Sequence, residues 1–160
     1  MNIWNERRRI PEIYGGLIAL GLIVYFFIMY AAGLIHVIEL RLLNVFIMLA
    51  GVYYALKQFK RTHDYKMDYF KSWTTGTATA AIASATFSLF IFIYLSLDRN
   101  LMNSIIENEP LGSYMNPYIA SFVVFLEGLF SGLGLSYLMS NFASTDTSIV
   151  DRAVDKQPNI

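Results

Sequence analysis

Four apolar runs separated by short polar stretches divide the chain. Residues 13–35 contain no charged side chain, and at ~1.5 Å per residue they make a helix of about 34 Å, enough to cross a hydrocarbon core of about 30 Å. The run is too long for a secretory leader and is followed at once by another, so it is read as an uncleaved first span. The uncharged stretch between Arg41 and Lys57 is shorter, roughly 22 Å as a helix. The second span is therefore expected over 37–57, recruiting Val37, Ile38 and Leu40 and leaving Glu39 and Arg41 in the outer interface. That makes the first connection tight, and Gly33 is the residue best suited to break the helix there. Residues 72–97 and 117–139 supply the third and fourth spans.

Within the spans, side-chain size is periodic. Asn44, Met48, Gly51 and Ala55 make an inward stripe on the second. On the third, Gly76, Ala80, Ser84 and Ser88 recur at every fourth position. On the fourth, a wheel at ~100° per residue puts Phe122, Leu126, Leu129, Phe130, Leu133 and Tyr137 on one side. Ala120, Ser121, Glu127, Gly128, Ser131, Gly132 and Gly134 fall on the other, with Val124, Phe125 and Leu135 as exceptions. The bulky side suits lipid. The small side, like Gly76 and Ala80 on the third span, lets another helix backbone come close. Glu127 is accordingly expected to point at protein or a wet cavity.

Between the last two spans, 98–116 is expected to hold a short helix capped by Asn100, with Leu101, Met102, Ile105 and Ile106 on one face. A turn is expected at Glu109-Pro110-Leu111-Gly112. Residues 140–160 read as a polar, mobile tail.

Composition sharpens this picture. The chain is 56% hydrophobic and only 15% charged, with its charges gathered between the apolar runs, as in a membrane protein. Arg7, Arg8 and Arg9, then Lys57, Lys60, Arg61, Lys66 and Lys71, then Arg152 and Lys156 fall on one side of the bilayer. Only Arg41 and Arg99 fall on the other. The bias puts both termini in the cytoplasm. The 57–71 loop sets topology and is suited to anionic lipid headgroups. The expected architecture is all-α: a polytopic membrane protein with four transmembrane helices in an antiparallel bundle, 1–160 forming one membrane domain.

The same composition excludes much. There is no cysteine, so no disulfide or thiolate chemistry is expected. A net charge of zero argues against nucleic acid as a partner. His36 and His63 fall on opposite faces and cannot share a metal. No catalytic constellation emerges, and neither an enzymatic activity nor a cofactor is expected.

What remains is Glu127, near the middle of the fourth span. A charge at a helix centre costs roughly 2.5–3.5 kcal/mol on insertion scales, so the carboxyl is expected in its neutral form. Its expected hydrogen-bond partner is Tyr25 or one of Ser84, Thr86 and Ser88. Two roles follow: interhelical bonding, within this chain or to a partner subunit, or ion binding on a transport path.

Three stretches, GVYYALKQFK (51–60), DYFKSWTTG (68–76) and NPYIASFVVFLEGLFSGLGLSYL (116–138), together resemble a bacterial family of small four-helix membrane proteins catalogued as a domain of unknown function. In that family the last segment similarly carries an acidic residue and a following glycine, which Glu127 and Gly132 match. The resemblance implies a four-span bacterial inner-membrane protein and lends it no activity. The expected function is a non-enzymatic subunit that packs against itself or other membrane subunits within the lipid bilayer. The alternative is a small proton- or cation-coupled transporter or channel using Glu127.

Overall fold

The computed structural model describes the backbone over residues 9–34, 38–62, 69–108 and 111–154, and side chains over these residues except 38–41, 62 and 142–154. Among them are five α-helices, one 3-10 turn and no strand: α1 (Ile10–Ala31), α2 (Ile38–Thr62), α3 (Tyr69–Leu97), α4 (Arg99–Asn108), the turn Gly112–Tyr114 and α5 (Pro117–Val154). All but α4 are long and apolar enough to cross a membrane, over Ile10–Ala31, Leu42–Arg61, Tyr69–Leu97 and Pro117–Asn141. The protein is an all-α, four-span bundle.

The helix ends follow local chemistry. Pro11 sits in the first turn of α1, where its missing N–H is no loss. Gly33 takes φ +68° just beyond α1, a left-handed conformation that needs no Cβ-bearing residue to be strained into it. α2 continues past 57 through Lys57, Lys60 and Arg61. α5 runs on to Val154, past the end expected for the fourth helix at 139. No glycine or proline interrupts the sequence between Gly134 and Pro158, so nothing there breaks the ladder.

α3 is the central element and packs against α1, α2 and α5. Its contact with α5 explains the small residues on both. Ser140 Oγ donates to Ser72 Oγ at 3.1 Å. One turn further along α3, a methyl placed on Gly76 would stand 2.7 Å from Ser136 Oγ. Ala80 then meets Gly132, and Ser84 meets Gly128, each without room for an added Cβ. Every step of four along α3 is answered by a step of four back along α5. Beyond this ladder, Ser88 Oγ donates to the carbonyl of Ser121 at 2.9 Å. The ridges of the third and fourth spans therefore pack within one chain.

Elsewhere, Gly15 of α1 lies against Ile82 and the Thr79 carbonyl of α3, and Gly51 of α2 against Ile18 of α1. At the other end of the bundle, Phe26, Phe27 and Tyr30 of α1 meet Phe90 and Tyr94 of α3. Phe26 and Tyr94 pack edge to face with ring centres 5.2 Å apart, the arrangement that aromatic quadrupoles favour.

Tyr30 also donates to Asp98 Oδ2 at 2.9 Å, while Asp98 Oδ1 accepts the Leu101 N–H at 3.1 Å. Asp98, not Asn100, is thus the cap of α4. It is the residue between two helices whose side chain reaches the N–H three positions on. That N–H and the Tyr30 hydroxyl hold its carboxyl below the ordinary aspartate value of 3.8. Leu101 and Met102 are buried in the main core, so α4 closes the end of the bundle, whereas Ile106 is left 38% exposed. Part of the expected 109–112 turn, Glu109 and Pro110, lies outside the described residues.

A carboxyl at the junction of two cavities

Glu127 is exposed on α5, which corrects the expectation of a buried interhelical carboxyl, while the expectation that it points at protein or a wet cavity is taken up by the cavities it lines. The contact ridge of α5 runs through Gly128, Gly132, Ser136 and Ser140. Glu127 lies ~100° around the axis from Gly128, at the flank of that ridge and not on it. The sequence wheel grouped the two because it marked small and polar residues together.

The flank is not plain lipid-facing surface. Glu127 lines a cavity of ≈ 170 Å³ that runs toward α4, walled by Tyr25, Phe26, Phe87, Leu95, Leu101 and Met115 among others. It also lines a second, of ≈ 40 Å³, deeper in the bundle, with Leu22, Met48, Ser84, Gly128 and Ser131. Asn44, Phe87, Val124 and Glu127 belong to both.

Two polar atoms at this junction are buried without a hydrogen-bond partner: Asn44 Oδ1 and Ser84 Oγ. Ser84 is only 2% exposed. A buried polar atom left unpaired is destabilising by about 1–3 kcal/mol, and both of these belong to residues that line the smaller cavity.

The expected partners of Glu127 separate. Tyr25, half-buried, lines the large cavity and Ser84 the small one. Thr86 is exposed and lines neither. Ser88 is engaged by the Ser121 carbonyl. Asn44 is the addition: the sequence placed it on an inward stripe without connecting it to Glu127. The available signal was that it is the one amide side chain between Arg41 and Lys57.

Of the basic residues, Arg9, Lys57, Lys60, Arg61 and Lys71 stand at the end of the bundle formed by the start of α1, the end of α2 and the start of α3. The Lys57 ammonium lies 5.9 Å over the Tyr53 ring, a cation–π distance. Arg7, Arg8, Lys66, His36 and His63 lie outside the described residues.

In comparisons with known proteins, residues 13–110 match the model of a family described as "Protein of unknown function (DUF4199)". The matched range spans α1 to α4 and stops short of α5, so Glu127 lies beyond it. No curated protein and no solved structure matches the chain.

Proposed function

The chain belongs to the DUF4199 family of proteins of unknown function, and on that premise we propose that it is a small non-enzymatic cation-binding transporter or channel of the bacterial inner membrane, with Glu127 as the binding carboxylate. The observation that carries this reading is the shared cavity. Glu127 lines it with two buried oxygens that have no partner, Asn44 Oδ1 and Ser84 Oγ. An ionisable residue within a span that faces a cavity is the usual mark of an ion path. Both termini are assigned to the cytoplasm from the Lys and Arg bias.

A second reading is favoured by the exposure of Glu127 on the bundle surface. In lipid, a mid-span carboxyl needs cover, and another copy of this chain or a different membrane subunit supplies it by hydrogen bonding across an interface.

One pair of measurements separates the readings. Reconstituted in liposomes, the wild-type protein should pass protons or small cations down an imposed gradient, and Glu127→Gln should abolish the flux while remaining folded. Flux that survives Glu127→Gln, or no flux at all, removes the transport reading. Isolation from native membranes in a gentle detergent, followed by mass measurement, tests the second. A defined complex that cross-links through position 127 supports it, and a bare monomer counts against it.

A further inference from the structure

The larger cavity is polar at one end only. Of the residues that line it, Tyr25, Asn44 and Glu127 alone carry polar side chains, and from there toward α4 the wall is aliphatic and aromatic, through Ile91, Leu95, Leu101 and Ile105. The smaller cavity opens from the polar end and adds Ser84 and Ser131. Neither lining contains a Lys, Arg or His, so the cavities hold no internal cation. Tyr25 and Glu127 are the titratable groups that face them. A free inorganic cation would use the oxygens and leave the apolar extension without purpose.

We infer that the two cavities form one site for a lipophilic ammonium, a protonated amine attached to an apolar group of about one ring. The ammonium fits the polar end. It donates to Glu127 and to the unpartnered Oδ1 of Asn44, and a space of ≈ 40 Å³ exceeds the ~10–15 Å³ that one water-sized group needs. Phe26 and Phe87 line the large cavity, Phe87 lines the small one as well, and aromatic rings are favourable neighbours for a cation. The apolar group fills the large cavity, whose ≈ 170 Å³ compares with the about 150 Å³ that holds a benzene molecule in an engineered protein cavity. A mostly apolar pocket with a few convergent polar groups is the usual form of a small-molecule site. This inference rests on the cation-binding reading of Glu127 and names its substrate class.

The test uses the full chain in nanodiscs of neutral phospholipid, with calorimetric titration of 2-phenylethylammonium, methylammonium and neutral ethylbenzene. Phenylethylammonium is expected to bind at least tenfold more tightly than either of the others. Glu127→Gln should weaken it at least tenfold. Val123→Phe, which adds bulk at a 44% exposed wall position, should weaken phenylethylammonium and leave methylammonium unaffected, with helicity and Tm unchanged in both variants. Equal binding of phenylethylammonium and methylammonium, both dependent on Glu127, overturns this inference and leaves the cation-binding reading standing. Ethylbenzene binding as well as phenylethylammonium also overturns it, because the cavity is then a plain apolar cleft. If no cation binds, both fall.

Discussion

Two serines on α3 have opposite consequences for stability. Ser72 is buried and accepts a hydrogen bond from Ser140, whereas the buried Oγ of Ser84 has no partner. Ser140→Ala strips Ser72 of its bond and should cost about 0.6 kcal/mol, with about 1.7 kcal/mol as the upper end for such bonds between spans. Ser84→Ala removes an unsatisfied group and should be neutral or stabilising by up to about 1 kcal/mol, while weakening cation binding at Glu127. Reversible unfolding in mixed micelles checks both. The sequence showed both serines as small and neutral. Nothing in it distinguished the one that is bonded from the one that waits, because that depends on which α5 residue stands opposite.

Between helices, the ladder of α3 and α5 was half legible. Gly76, Ala80 and Ser84 stood out by their spacing, and Gly128 and Gly132 by theirs. Ser72, Ser136 and Ser140 did not, being read as the margin of a span or its tail. The register that joins them is a tertiary fact. At Ala80 and Gly132 neither side has a flexible end that can move aside. Gly132→Ala should therefore force the helices apart and destabilise the fold by about 1–3 kcal/mol, as overpacking does. Ala80→Gly in the same chain should restore most of the loss, a non-additivity expected only of residues in contact. A double-mutant cycle in detergent unfolding measures it. The cap of α4 was misplaced by two residues for a related reason. Asn100 and Asp98 are both good caps, and the choice was made by where α3 ends.

Over the whole molecule, the apolar runs sufficed to foretell four spans and their order, since burial in lipid is written into composition more strongly than any packing detail. The site was less legible. A wheel marks which residues share a side of one helix, but not where a neighbouring helix stops, and Glu127 sits at that edge. The orientation assigned from charge is open to a direct check, because the natural chain contains no cysteine. If the chain lies in the bacterial inner membrane as proposed, a single Ser113→Cys should react with a membrane-impermeant maleimide in intact cells with a permeable outer membrane, whereas Ser144→Cys should react only after the inner membrane is opened. The reverse pattern would invert the topology.

α5 does not stop where its apolar stretch does. The helix runs on to Val154 through a polar stretch that carries Asp146, Asp151 and Arg152, so at ~1.5 Å per residue about 20 Å of helix follows Asn141, and about 40 Å separates Glu127 from the tip. The carboxyl and the tip are thus two points on one lever arm. A tilt of about 5° at Glu127 displaces the tip by roughly 3.5 Å along that length, enough to make or break a contact in the water outside. On the cation-binding reading proposed above, whatever moves the helix at Glu127 is felt at the tip as displacement alone, with no chemistry needed to carry it.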